Sequence, residues 1–498
     1  MFGQGQVKYF QGFSAGFYDN LNPIGVPVDR GDDNVIGGIN AWFTERGTWA
    51  KKPGMTRWST VAVASGNPVY DWFNHIYSAT VKVIGDRQND VVEFTPTSVT
   101  SFYTKANTNR ASFVGVGDKL YFGFGDFVSP DSISPSDTVR KRMPGASTTK
   151  VWGIAAPTVT PVFANVNPTT GARVRIGWKY KYVYRDSTDA HLSSCSASSG
   201  TTGRRLHATF TVRTKGTTQA RVTHIDLYRT RDGGSTYFFH STQTNPGTAT
   251  DVDFVDAMAD QDLNEALICP GAHSNDPPPT NILDLTYHVG RVWAISGNTV
   301  RATTALVDVQ GASNASLNGV PEECWPPDLT FTFNAPSKLL STDKGLVIFT
   351  KHGDVYIITG TSKFDFDPER TKENIPVIWK NDVCADGEII YVFTAGREIL
   401  RISDSIETIS KPLSESTLSN FTPGSCFVST RRLATKSALY LSNANNKVLR
   451  FGVSENTWSN IWQVDGTTIT HGPVRAIYTS LGVQDVLYAP KSGSNGFI

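Results

Sequence analysis

The chain has 498 residues and a formal net charge of +1, from 46 Lys and Arg against 45 Asp and Glu. That balance excludes the broad basic field with which proteins hold nucleic acid through counterion release. Aromatic residues make up 11%, with 43 Gly, 26 Pro and only 4 Met, which excludes a body of long helices and predicts many short strands joined by tight turns.

The length exceeds what one small core fills, so more than one domain is expected. Cys195, Cys269, Cys324, Cys384 and Cys426 are scattered and odd in number. They form no CxxC pair, and reduced, mostly buried thiols are expected. The opening MFGQGQVKYF lacks the charged-then-apolar layout of a signal peptide. No run approaches the roughly 18 apolar residues of a membrane span, so a soluble protein made in a cytoplasm, without membrane insertion, is expected.

Residues 1–34 are rich in Gly, Asn, Pro and Asp with isolated aromatics (Phe10, Phe13, Phe17, Tyr18). Such a segment cannot bury a core of its own and reads as an arm that docks on another surface. In Ile39 to Ser59, Trp42, Phe43, Trp49 and Trp58 interleave with Arg46, Lys51, Lys52 and Arg57. The mix suits either a stacking surface for nucleic acid or a partner, or a plain strand pair turning at Lys52-Pro53-Gly54. Short strands resume in VYDWFNHIYSATVKVIG and VGDKLYFGFGDF, and Arg140, Lys141 and Arg142 form a basic cluster expected on a solvated loop.

The next part, 155–275, has a different rhythm. From Arg173 to Ser187 one strand is expected, with Val174, Ile176, Trp178, Tyr180, Tyr182 and Tyr184 on one face and Arg173, Arg175, Lys179, Lys181 and Val183 on the other. About seven short strands with a core Trp near the front suit an immunoglobulin-like or fibronectin-like sandwich. Asp276 to Thr280, DPPPT, closes it, because serial prolines cannot join a ladder. Beyond it hairpins recur: VGRVWAISGNTVRATT turning at Gly297-Asn298, DKGLVIFTKHGDVYIITG turning at Lys351 to Asp354, DGEIIYVFTAGREILRIS turning at Ala395 to Arg397, and SALYLSNANNKVLRFG turning at Asn443 to Asn446. A hairpin repeated at that spacing predicts a propeller-like array. The fold expected is therefore all-β, with the propeller divided between 35–154 and 276–498 around the inserted sandwich.

Chemistry is sparse. Thr230 to Tyr237, TRDGGSTY, fits the S/T-x-D-x-G-x-T-aromatic Asp box, a turn in which Asp232 accepts backbone hydrogen bonds. A sialidase would also need an arginine clamp, a tyrosine nucleophile and an acid, and no spacing displays such a set. Asp251, Asp253 and Asp256, with Asp260 and Asp262, could offer oxygen ligands to calcium, but they lack EF-hand spacing and suit the polar face of a strand. No histidine pair has the spacing of a zinc protease and no phosphate-binding loop occurs. A Ser/His/Asp set meets only in space. No catalytic, cofactor-binding or metal-binding residue is assigned, and neither an enzyme nor a cofactor is expected.

The aromatic, glycine-rich start, the W-x6-W-x3-PG string from Trp42 to Gly54, GRVWAISGNTV after the prolines and LVIFTKHGDVYIITG together resemble the tail nozzle or tail hub proteins of short-tailed double-stranded DNA phages. The resemblance covers about Asn281 to Ser410 and, more loosely, Ala41 to Ser59. It implies a virion protein assembled in the host cytoplasm, in which a homo-hexameric ring sits below the portal and its adaptor. That ring would enclose the path of ejected double-stranded DNA and support fibres or spikes, with the arm 1–34 joining subunits. Unlike the tail hubs, the sequence has little beyond its last hairpin, ending in DVLYAPKSGSNGFI. A carbohydrate-binding or glycan-cleaving propeller is the main alternative, and a cellular propeller scaffold a third.

Overall fold

A computed structural model describes residues 69–77, 80–95, 97–125, 127–129, 132–133, 139–168, 174–175, 177–201, 205–231, 233–305, 320–431, 437–443, 448–453, 456–460, 470–478 and 484–492, and the strand pieces 16–17, 34–35, 41–43 and 49–51. Nearly all regular structure is antiparallel sheet. The one α-helix among these residues is the turn Glu415–Leu418, capped by the Ser414 hydroxyl, which accepts from the Thr417 amide.

Six four-stranded meanders and a hairpin make the body. In chain order their strands are Val69–Tyr77, Thr80–Arg87, Asp90–Phe94 and Val99–Thr104; Ala111–Val116, Lys119–Phe124, Arg140–Arg142 and Lys150–Val151; Ile282–His288, Arg291–Ser296, Thr299–Ala302 and Thr330–Thr332; Pro336–Thr342, Gly345–Thr350, Val355–Thr359 and Asp367–Lys372. The fifth sheet is Val383–Asp386, Ile389–Phe393, Ile399–Ile402 and Ile406–Thr408, the sixth Phe427–Arg431, Ala438–Ser442, Val448–Gly452 and Thr457–Asn460, and the seventh Thr470–Tyr478 with Gln484–Ser492. The first strand of each sheet packs beside the first strand of the next. Thr470–Tyr478 lies between Phe427–Arg431 and Val69–Tyr77 and closes the ring. The body is thus a β-propeller with the termini of the ring meeting at its seventh sheet.

Each hairpin expected from the sequence beyond residue 280 is the second and third strand of a sheet. Leu346 pairs with Ile358 and Phe349 with Val355; Ile390 pairs with Ile402; Leu439 pairs with Phe451; Ile295 pairs with Val300. The continuous apolar run of Gly345–Thr350 has a simple cause. Leu346 and Ile348 face the third sheet, packing with Leu283, Trp293 and Ile295, whereas Val347 and Phe349 face the fifth, packing with Val383, Ile390 and Val392. A strand buried on both faces needs apolar residues at every position, and each such side chain contributes about 1.5–3 kcal/mol of burial. The outer strand Asp367–Lys372 is the opposite case, exposed at all six positions. Its charges and Pro368 blunt the open edge.

The inserted sandwich has two sheets. Val162–Pro168, Val174–Arg175, Arg205–Lys215 and Asp251–Asp256 form one; His191–Leu192, Tyr180–Asp186, His224–Thr230, Tyr237–Thr244 and Asn264–Ile268 form the other. Trp178, Tyr180, Tyr182 and Tyr184 bury against Phe210, Val212, Ile225, Leu227 and Phe254, the side that alternation predicts. The single strand expected from Arg173 to Ser187 is instead two, one in each sheet, because Gly177 takes φ 80° and turns the chain across the core. At the core's centre the Arg229 guanidinium lies 3.7 Å from the Trp178 ring centroid and pairs with buried Asp256 at 2.7 Å. Asp256 also accepts from the Tyr180 hydroxyl at 2.6 Å.

One edge of Tyr180–Asp186 is covered without a further long strand. Ser193, Ser196 and Ser199 donate their amides to the carbonyls of Tyr184, Tyr182 and Tyr180, and their hydroxyls accept from the amides of the same three tyrosines. A three-residue period of serines therefore satisfies a two-residue period of strand groups.

Ahead of the ring, Gly16–Phe17 pairs in parallel with Asn34–Val35, and Ala41–Phe43 pairs with Trp49–Lys51. Both units pack against the sixth sheet's outer strand. The strand pair is joined through 44–48, so its turn is not at Lys52-Pro53-Gly54; Lys51 ends a strand, and 52–54 lie outside the described residues.

Ring closure by Thr470–Tyr478 sets an expectation. Truncation after Asn460 leaves two first strands without a neighbour, and such edges invite association. Differential scanning calorimetry of the truncated chain is expected to show a broader and lower transition than the full chain, with aggregation by light scattering. An unchanged, sharp melt would show that closure is dispensable.

Candidate functional site

The basic cluster at Arg140, Lys141 and Arg142 is not a solvated loop. It is a strand paired with Lys119–Phe124, and alternation sends its middle residue to the opposite face from the outer two. Arg142 pairs with Glu93 at 2.7 Å and lies over the Phe102 ring. Arg140 lies over Tyr103. Lys141 is wholly buried and reaches Glu323 at 2.5 Å and Asp189.

Those contacts open a joint between the sandwich and the ring. Arg221, before the strand His224–Thr230, donates to Glu323 at 2.5 Å, Asp189 at 2.9 Å and Asp186 at 3.0 Å. Lys150 reaches Asp186 at 3.0 Å. Three cations, Lys141, Lys150 and Arg221, thus face three carboxylates, Asp186, Asp189 and Glu323. They come from three places: the second sheet, the sandwich, and the 3-10 turn Pro321–Glu323 between strands of the third sheet. Glu323 also accepts from the Gly153 amide. Tyr121, Trp152 and Trp325 lie buried beside the network, Trp152 tilted against Tyr121 and edge-to-face with Trp325, with centroids 4.8 and 5.4 Å apart.

Buried charges cost free energy unless each is paired. Complete burial works to raise the Glu323 carboxyl, but the facing His191, Arg221 and Lys141 outweigh it and hold it at about 2. Burial pushes His191 down to about 4, against the pull of Glu323. Near neutral pH His191 is therefore uncharged, its Nδ1 accepting from the Val320 amide, and Glu323 is held by Arg221 and Lys141. Beside the joint the incoming and outgoing linkers of the sandwich touch. Gly153 has φ 80°, and a Cβ there would stand 2.6 Å from Pro278 Cδ. The prolines that end the sandwich in sequence are thus one wall of its hinge, and the joint leaves that hinge no play.

A second polar cluster fills the axis of the ring. Lys380, ahead of the fifth sheet, donates across the centre to the Ala111 carbonyl of the second sheet at 2.5 Å. Asp284 ties the second, third and fourth sheets, accepting from the Ser112 hydroxyl and the Leu339 amide. Arg110 lies over the rings of Tyr70 and Trp379. Burial lowers Lys380 to about 8 and raises Asp382 to about 8. Lys380 thus bridges the axis at this end of the ring.

The other sequence features separate on folding. Asp251 and Asp253 pair with Arg213 and Lys215 on an exposed face, while Asp256 points into the core. Among the described residues no group of three or more His, Cys, Asp or Glu is arranged to hold a metal. Asp232 lies outside the described residues. One G-x-S-x-G string occurs, Gly12 to Gly16, of which only Gly16 is described, in a two-residue strand. A cleft of 390 Å³ between sandwich linker and ring is walled by His273, Asn275, Pro326, Pro327, Asp328 and Lys363. A pocket of 200 Å³ lies at His75, Lys82, Glu93, Asp118, Arg142 and Met143. No spacing in the sequence announces either. Residues far apart in the chain form each wall.

No family model matches the chain, and no curated protein matches it in sequence. Among solved structures it is similar to the computationally designed Ika8 protein, with a TM-score of 0.34 at 8% identity over 88% of this chain and 98% of that one. YCF48 from Cyanidioschyzon merolae is similar with a TM-score of 0.28 at 11% identity, over 78% of this chain and 96% of that one.

The joint predicts an acid-labile protein. His191 has its folded value below its ordinary 6.5, so the unfolded chain takes up a proton that the folded one refuses, and stability is lost as pH falls from 6.5 to 4. The loss is up to about 3 kcal/mol. Glu323, depressed from 4.5, adds its own loss from there down to about 2. Urea midpoints measured across pH 7 to 4 are expected to fall, and His191→Gln to flatten that slope. Glu323→Ala, which leaves three cations facing two carboxylates, is expected to cost about 3–5 kcal/mol at pH 7 and to open the linker near Gly153 to limited proteolysis. A linker that stays resistant would remove the joint's role.

Proposed function

We propose that this chain is a structural virion protein of a short-tailed phage, a tail nozzle or hub. Six copies form a ring below the portal and adaptor, enclose the DNA ejection path and carry fibres or spikes. The observation that carries the reading is the buried joint. It fixes the sandwich rigidly to a closed propeller, as suits a part that must hold position under load and present one module outward. Two of the short strings that resemble tail nozzles, GRVWAISGNTV and LVIFTKHGDVYIITG, fall on the third and fourth sheets, which supports the same reading.

The filled axis of the propeller directs how DNA is enclosed. The path runs through the lumen shared by six copies and not through any one body. A formal charge of +1 suits a wall along which DNA slides, because tight phosphate binding would stall it. The rotation that closes such a ring needs two different faces on each copy, and the sandwich on one side supplies the asymmetry. Phe364 supplies an anchor. It is 81% exposed on a turn where Asp365 accepts from the amides of Thr361 and Ser362, so its backbone is already ordered before contact. The arm 1–34 joins subunits in the same ring.

Native mass spectrometry of the purified chain, alone and with adaptor, is expected to show a six-copy species, and electron microscopy a six-fold ring. Phe364→Glu is expected to lower the fraction in rings at least tenfold without changing the melt. A chain that stays monomeric with its adaptor present, yet binds on a glycan array, would replace this reading with the carbohydrate-binding one.

A further inference from the structure

The five cysteines are scattered in sequence, but the fold brings two of them together. Cys195 sits in the serine-rich segment along Tyr180–Asp186, between the amides of Ser193 and Ser196 that donate to that strand. Cys269 follows Asn264–Ile268, and its amide donates to the Tyr237 carbonyl at 2.9 Å. From there the chain folds back over the sheet, where Asn275 donates its amide to Ser194 and its side chain to the Leu192 carbonyl. Both sulfurs join one cluster with Val183, Tyr228, Tyr237 and Phe239. The Cys269 side chain packs against the buried Cys195 in that cluster, and Lys181 Nζ stands 3.5 Å from the Cys195 sulfur. Tyr237 holds that ammonium over its ring at 4.8 Å and bonds Ser198 at 2.7 Å. All five are free thiols.

We propose that Cys195 and Cys269 are an oxidation site, in which Cys195 is the attacking thiolate and Cys269 the thiol that resolves it into a disulfide. The parts are those the chemistry needs: an attacking sulfur beside a fixed cation, and a second thiol in contact. The Cys269 hydrogen bond, and then Lys181, favour the charged form of Cys195 over its burial and bring it down to about 6. Burial first, and then the neighbouring Cys195, keep Cys269 protonated. One partner is therefore a thiolate and the other a proton donor at neutral pH. The remaining cysteines differ. Burial pushes the Cys324 and Cys426 thiols up, and the Cys324 thiol donates to the Val320 carbonyl at 3.3 Å.

With a hydroperoxide as oxidant, the Cys195 thiolate attacks one peroxide oxygen. The O–O bond breaks, and the departing oxygen leaves as hydroxide or alkoxide and takes up a proton. Cys195 is then a sulfenic acid. The Cys269 sulfur attacks it, the S–O bond breaks, and the hydroxyl leaves as water with the Cys269 proton. Two thiols give up two electrons to one peroxide, and a sulfur–sulfur bond forms. That bond ties the outgoing linker of the sandwich to the segment that covers its strand edge.

The test uses the full chain, reduced and then treated with hydrogen peroxide at one equivalent. Remaining thiols are alkylated in denaturant and the peptides are mapped by mass spectrometry. A Cys195–Cys269 disulfide is expected, with Cys324, Cys384 and Cys426 alkylated. Cys269→Ser is expected to leave Cys195 as a sulfenic acid that dimedone labels. Lys181→Met is expected to slow the reaction about tenfold and to move its pH midpoint up from near 6, which loss of packing alone does not do. Fully alkylated Cys195 and Cys269 in a chain that still melts cooperatively would overturn the proposal. A disulfide from either to Cys324 or Cys384 would do the same.

Discussion

Lys141, Arg221 and Glu323 hold the two parts of this protein in one geometry. None of the three can leave its place without stranding a charge, since Lys141 and Glu323 are fully buried and Arg221 nearly so. A joint of apolar residues of the same volume could be as stable. It would also tolerate sliding, because dispersion contacts are nearly indifferent to small shifts. Charge-assisted hydrogen bonds lose most of their strength within an ångström or so. The ionic joint therefore fixes register between sandwich and ring, and the contact of Gly153 with Pro277 and Pro278 removes the remaining freedom of the linkers.

The ring depends on a related constraint. No sheet of the body buries both faces by itself, so each relies on its two neighbours. The alternation in Gly345–Thr350, with Leu346 and Ile348 toward one neighbour and Val347 and Phe349 toward the other, is this dependence at the level of single residues. At the centre, where seven first strands converge, apolar side chains alone would leave backbone groups unpaired. Asp284, Lys380 and Asp382 satisfy them instead. The cost is two buried groups, Lys380 and Asp382, whose burial favours their neutral forms, and the result is a ring bridged across its centre by Lys380.

These two features shape the functional reading. A sandwich fixed by charges to a closed ring suits the proposed role of a part that presents one module outward, and the buried charges of the joint and the axis hold that shape. The thiol pair is the exception. Cys195, Cys269 and Lys181 lie on the sandwich face away from the aromatic core, and reactivity there does not disturb Trp178 or Arg229. The cleft at Pro326 and Lys363 and the pocket at His75 lie likewise at boundaries between units, where surfaces from distant parts of the chain meet.

The amino-acid sequence by itself determined the all-β class, the sandwich and the central hairpins, because those strands are buried on at least one face and carry that burial as pattern. LVIF at Leu346 to Phe349 and the alternating Trp178, Tyr180, Tyr182 and Tyr184 are legible for this reason. Only the tertiary structure decided the outer strand Asp367–Lys372, whose six exposed residues have no apolar pattern and are ordered by hydrogen bonds to Val355–Thr359. It also decided the fate of Arg140-Lys141-Arg142. Three adjacent basic residues look the same on a loop or in a strand, and what buries Lys141 is Glu323, 182 positions away. Charge pairing and thiol contact at such separations leave no local trace, since the partners are selected by the fold and not by their neighbours in the chain.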